Sequence, residues 1–245
     1  MTRRVLDIAT ADGTAKAHLF RPDTPAASRA GIILYMDAFG LRDGLDRMAE
    51  RLAGQGYIVL VPDLFYRFGP YGPFDAKTAL VQEETRAVIM PMLRETTHEM
   101  TASDTAAFLD TLSAEGATGP IGATGYCFGG GRAITAAAAY PERVVAAASF
   151  HGGNLASDAP NSPHLKAASI KGRLYVGSAG VDGSFPPEQS ARLEAALRAA
   201  EVDYIMENYI GMEHGWTVPD SRVFNEAGAE RHWARLTTFF AETLL

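Results

Sequence analysis

The chain has a single cysteine, Cys127, and it stands in the run Ala123-Thr124-Gly125-Tyr126-Cys127-Phe128-Gly129-Gly130-Gly131. An apolar stretch leads into the run, and an alanine-rich helical stretch from Arg132 to Tyr140 follows it. Glycines two positions before and after the cysteine fit a sharp strand–turn–helix bend, in which the backbones pass too closely for a Cβ. Such a bend pushes its central side chain out over the end of a sheet, where a substrate can reach it. A lone cysteine is otherwise a small buried hydrophobe. Here the glycine pair and the strand-to-helix switch make it a candidate nucleophile.

A thiol attacks as the thiolate, so it needs a base, usually an imidazole oriented by a carboxylate. Where this elbow occurs, the order along the chain is nucleophile, acid, histidine. Of the six histidines, His18 and His98 precede the elbow, and His151 follows it before any strand could supply the acid. His164 lies in a proline-rich loop, and His232 falls in the last helix, where a solvated face is expected. His214 remains, in the loop Gly211-Met212-Glu213-His214-Gly215-Trp216 directly after the final strand. Among the acids, Asp158 is in a long loop, Asp203 opens a strand and Asp220 follows the histidine. Glu213 adjoins His214 and would have to point the same way as its neighbour. Asp182 closes an apolar run through Ser178-Ala179-Gly180-Val181 and precedes a helix. An Asp-Gly turn or a helix cap would account for it equally in isolation. Order and placement favour the orienting role.

These side chains need elements to position them. Val5–Ala9 and Ala15–Phe20 alternate around Asp12-Gly13 as a hairpin. Gly31–Met36, Tyr57–Val61, Ile121–Thr124, Val144–Phe150, Leu174–Gly177 and Tyr204–Glu207 are short apolar runs that fit buried strands. Helical patterns span Asp43–Gln55, Asp75–Leu93, His98–Glu115, Pro187–Ala200 and Ala227–Leu244. The aromatic stretch Phe65–Phe74 has no period and reads as a loop near the site mouth, packed down rather than binding ligand. Strands alternating with helices predict an α/β fold: a mainly parallel sheet covered on both faces, with ligands outside the carboxyl ends of the strands. Asp37, Cys127, His151 and Asp182 all fall just past such ends.

The 245 residues, 47% of them apolar, suit one domain spanning 1–245, with no internal repeat or linker. No run of eighteen apolar residues suggests a membrane span, and no secretory signal is read at Met1-Thr2-Arg3-Arg4. One cysteine cannot form an internal disulfide, which fits a cytoplasmic location. A net charge of −7 without a basic cluster argues against nucleic acid as a partner. No histidine pair has metal-ligand spacing and no glycine-rich phosphate loop occurs, so no metal and no cofactor are expected.

The motifs Gly-Tyr-Cys-Phe-Gly-Gly, Val-Asp-Gly-Ser-Phe and Gly-Met-Glu-His-Gly-Trp resemble those of the dienelactone hydrolase family of α/β-hydrolases. So do Tyr35-Met36-Asp37-Ala38-Phe39-Gly40 and Val61-Pro62-Asp63-Leu64. The matches run in order along nearly the whole chain. The resemblance implies that Cys127 attacks an ester or lactone carbonyl, that His214 shuttles the proton and that Asp182 orients His214. It places an oxyanion hole at the backbone N–H groups of Phe128 and Ala38. The family usually has glutamate where Asp37 stands, as a gate that holds the resting thiol neutral and is displaced by substrate. Asp37 is expected to keep that role, although it is one methylene shorter; a buried carboxylate tied to neighbouring backbone is the alternative. Relatives acting on carboxylated dienelactones carry arginine four residues after the catalytic histidine. Val218 stands there in this chain, which points to neutral or differently anchored esters and lactones. Phe39, Phe128, Phe185 and Trp216 are candidates for an apolar pocket, or for core. The partner is then a small-molecule ester or lactone, and the protein a monomer or small homo-oligomer. A non-catalytic ligand-binding or thiol-sensing protein, and a thioesterase or acyltransferase using the same groups, are the competing readings.

Overall fold

A computed structural model describes residues 1–245. The chain opens with the expected hairpin, β1 (Thr2–Thr10) and β2 (Gly13–Arg21), paired antiparallel with Thr10 opposite Gly13. β3 (Gly31–Tyr35), β4 (Ile58–Pro62), β5 (Ile121–Tyr126) and β6 (Val144–Phe150) follow, almost wholly buried, as expected for strands covered on both faces. β7 (Arg173–Val181) and β8 (Tyr204–Glu213) complete one sheet of order β1-β2-β4-β3-β5-β6-β7-β8. β3 to β8 are mutually parallel, so their carboxyl ends share one edge, and β2 pairs antiparallel with β4.

Six helices cover the faces. α1 (Asp43–Ala53) and α6 (Glu226–Leu244) lie on one side, linked by Arg51 to Glu230 and by the Arg51 guanidinium over Trp233. α3 (His98–Ala114) packs on α4 (Phe128–Ala139), and α4 lies against β5 and β6. α2 (Glu83–Glu95) and α5 (Pro187–Ala199) flank the site edge.

Three features depart from the sequence reading. Residues 75–82 form turns rather than the start of a helix. Asp75 accepts from the Lys77 N–H and the Thr78 hydroxyl, a local bond that competes with helix. Leu80 and Val81 stay exposed there, so no packed face holds the segment helical. β7 and β8 run four and six residues beyond their apolar runs, because their last pairs form with exposed side chains such as Val181 and Ile210. A register shift sets Val181 opposite Glu213. His232, expected on a solvated face, is fully buried. It belongs to the inward stripe of α6 with Leu236 and Phe239, lies edge-on to Phe150 at 4.2 Å, and bonds the Tyr126 hydroxyl at 3.0 Å.

Candidate active site

Cys127 sits between the end of β5 and the first residue of α4 with φ 55° and ψ −116°. A positive φ on a non-glycine residue costs about 1–3 kcal/mol and persists only where its surroundings enforce it. They do so here: a Cβ at Gly125 would strike the Gly129 carbonyl, and one at Gly129 would strike the carbonyls of Tyr35 and Met36. The elbow is thus wedged between β3 and its own helix. Its N–H is shared between the Phe150 carbonyl, 3.1 Å away, and Nδ1 of His151 at 3.0 Å.

The paired ends of β7 and β8 bring the next two groups side by side. Nδ1–H of His214 donates to Oδ2 of Asp182 at 2.7 Å. The other oxygen of Asp182 accepts from the Ser184 N–H at 2.8 Å and from its hydroxyl at 2.6 Å. The carboxylate is buried, and its pKa lies below the usual value: burial opposes ionisation, but His214 and Ser184 outweigh it. Burial also opposes a charge on His214. The nearby sulfur of Cys127, the hydrogen bond to Asp182 and the charge of Asp182 overcome it and push the imidazole up to about 10. His214 is therefore stable as a cation, bonded to a carboxylate and lining both cavities with Cys127.

His151, set aside on chain order, lies beneath this group with 1% of its surface exposed. Its Nδ1 accepts from Cys127, so Nε2 carries the proton and donates to the Thr217 hydroxyl at 2.8 Å. Burial, then the charge of His214, holds its pKa well below the ordinary value, which keeps it neutral. His151 thus joins the elbow to the loop after His214. Its position just past β6 was the only signal in the sequence. Ser184 gave a weaker one, an Asp-Gly-Ser turn that could equally be ordinary loop chemistry.

Asp37 lines the smaller cavity together with Cys127, and its carboxylate is engaged within its own turn. Both its oxygens are held by Arg42, at 2.6 and 2.7 Å, and one also accepts from the Phe39 N–H at 3.0 Å. Arg42 grips Asp220 as well, at 2.9 and 3.0 Å, and so ties the turn after β3 to the loop after His214. Burial works against the charge of Arg42, but the two carboxylates raise its pKa above the ordinary value. These bonds tie the carboxyl to its own turn, the alternative to a gating role. Ala38 is buried beside Asp37. Phe128 opens α4, where helical N–H groups have no intrahelical partner, so its amide is available to a ligand.

Two cavities meet at Cys127 and His214. One, of about 670 Å³, is walled by α2, α4 and the Asp182–Ser184 turn. The other, of about 190 Å³, is lined by Ala38, Phe39, Leu80, Val81 and Val218. Of the proposed pocket aromatics, Phe39 and Phe128 line these cavities. Phe185 is buried and faces a separate cleft behind Asp182. Trp216 is core: it is fully buried between Tyr209 and His151, at 4.8 and 5.1 Å. The loop after β4 packs down as expected, with Phe65 buried against Phe128 at 5.4 Å. Asp63 holds it by accepting from the Phe65 N–H and the Tyr71 hydroxyl. No group of three or more His, Cys, Asp or Glu comes together as metal ligands, and no helix is long and apolar enough to cross a membrane.

Known proteins resemble this chain in architecture and, more distantly, in sequence. A carboxymethylenebutenolidase from Rhodococcus opacus is 28% identical over 240 residues, covering 95% of this chain and 88% of its own. Among solved structures, m3DLH superposes with a TM-score of 0.83 at 23% identity, covering 100% of this chain and 99% of its own. The dienelactone hydrolase-like promiscuous phosphotriesterase P91, from metagenomic libraries, gives 0.81 at 22% identity over the same shares, 100% and 99%. These two share the α/β-hydrolase fold. The sequence profile of the dienelactone hydrolase family runs from residue 15 to residue 244, through elbow, acid turn and histidine loop alike, and the chain belongs to that family.

Proposed function

We propose that the protein hydrolyses a carboxylic ester or lactone through Cys127, His214 and Asp182, by way of a thioester. The observation that carries this reading is the Asp182–His214 hydrogen bond, set on the same two cavities as Cys127 at its strained elbow. The thiolate of Cys127 attacks the carbonyl carbon, and the carbonyl π electrons move to oxygen. The backbone N–H groups of Phe128 and Ala38 stabilise that oxyanion, a contribution of about 3–4 kcal/mol per donor in comparable sites. Collapse breaks the C–O bond, and His214 protonates the departing alkoxide, which stays tethered if the substrate is a lactone. His214 then takes a proton from water, the hydroxide attacks the thioester, and the acid leaves as the thiolate is regenerated. Asp182 holds the imidazole in the one tautomer that presents Nε2 to the sulfur.

Val218 is buried on the smaller cavity and offers no charge. The substrate is therefore neutral or held by some other contact. Hydrolysis of p-nitrophenyl esters, with the acyl-enzyme caught by mass spectrometry, tests the reading. We expect an acyl adduct on Cys127 and loss of turnover in Cys127→Ala. Turnover that survives this change would remove the thiol from the reaction, and a wild type inert to all esters and lactones would favour a binding role.

A further inference from the structure

The larger cavity at Cys127 carries a charge that the hydrolytic scheme does not use. Arg132, just over one turn into α4 from the elbow, is 5% exposed and lines that cavity with Phe128 and His214. Its Nη2 donates to the Thr96 carbonyl at 2.6 Å. Nε and Nη1 have no partner. No carboxylate pairs with it: Asp182 is engaged by His214 and Ser184, and Glu99 is exposed and bonded to Asn161. The Phe128 ring backs the guanidinium at 4.3 Å. Burial lowers Arg132 to about 9, partly offset by the charge of Glu99, so it stays protonated at neutral pH. Its neighbour His98 adds no charge, since burial and Arg132 hold it down to about 3.

A desolvated cation with unused donors and no counter-ion is unfavourable, and most buried polar groups in folded proteins have partners. The exception here belongs to a residue that lines the reacting sulfur's cavity, behind whose wall a ligand could complete it. We propose that Arg132 is a specificity-determining residue that binds the carboxylate of a substrate bearing an acid group as well as its ester or lactone. Arg132 stands in the α4 cavity; the cations on the cavity that Val218 lines, Lys77 and Arg222, are exposed to solvent. The acid group would therefore extend from the reacting carbonyl toward Arg132. Because Nε and Nη1 are closed to solvent in the free protein, the carboxylate must part the wall slightly as it enters.

This assignment rests on Cys127 being the nucleophile, and the test separates the two. The mono-p-nitrophenyl ester of glutaric acid is compared with p-nitrophenyl pentanoate, a neutral ester of equal chain length, in wild type, Arg132→Gln and Arg132→Lys. Alkylation of Cys127 by iodoacetate is compared with alkylation by iodoacetamide in the same three proteins. Charge-assisted hydrogen bonds change affinity by about ten- to a hundredfold, so we expect wild type to favour the acid ester at least tenfold in kcat/KM. The preference should collapse in Arg132→Gln, chiefly through KM, and survive in part in Arg132→Lys. The iodoacetate-to-iodoacetamide ratio should fall in the same order. Unchanged ratios in Arg132→Gln would overturn the assignment. If that variant does not fold, wild type decides: a neutral ester turned over as well as the acid ester overturns it. Should wild type hydrolyse neither ester, the proposed function fails, while the alkylation ratios still report on Arg132.

Discussion

Each residue around the sulfur has a separable task, and substitution should expose it. Asp182 fixes the tautomer of His214, so Asp182→Asn should leave the fold intact and lower kcat by about 10³–10⁴-fold, read in single-turnover experiments. Ser184 acts one step further out, through its hydroxyl on Asp182. Ser184→Ala keeps the backbone donor, and we expect kcat/KM to fall about tenfold, the value of one such hydrogen bond. His151 touches the elbow's N–H and not the substrate, which makes it a positioning residue. In His151→Phe the rate of thiol alkylation should drop while the shape of its pH profile is kept, because the bond of His214 to Asp182 is untouched. A changed profile would place His151 in the proton path.

At the scale of elements, two ties hold the site together: the β7–β8 ladder and the Arg42 bridge. Arg42 is buried, and it joins the turn after β3 to the loop after His214. Removing one partner of a buried ion pair typically costs about 3–5 kcal/mol. Arg42→Met should therefore lower the denaturation midpoint markedly and disorder the Ala38 amide and the His214 loop together, giving a larger loss of kcat than of substrate binding. The elements and their order were legible because apolar runs, glycine stops and the elbow's glycine pair are local signals. Asp182 and His214 could be singled out by their place after strands. The Arg42–Asp220 bridge, the Arg132–Thr96 bond and the His232–Tyr126 bond could not, because they span from 36 to 178 residues and leave no periodic trace. The 75–82 segment misled for the reverse reason: its composition suits a helix, yet Ala79 is its only buried residue.

Across the whole molecule, histidine charge sets the response to pH in two opposite directions. His151 and His232 are buried and neutral, with His232 lowered to about 3 by burial. An unfolded chain binds protons at both near pH 6.5 while the folded protein does not, so acidification below that point favours unfolding by about 1.4 kcal/mol per pH unit for each. His214, raised to about 10, behaves in the opposite sense: its contribution is complete below pH 6.5 and fades as pH climbs through 10. Chemical denaturation between pH 4 and 7 should be less steep in His232→Phe than in wild type, even if that variant is weaker at neutral pH. β8, meanwhile, is the outermost strand of the sheet, and its far end hangs His214 beside Asp182. A margin of that kind frays before the interior melts. Mild denaturant should thus silence the enzyme while its circular dichroism is still native, and a binder that clipped onto the bare rim of the sheet would act as a switch without entering either cavity.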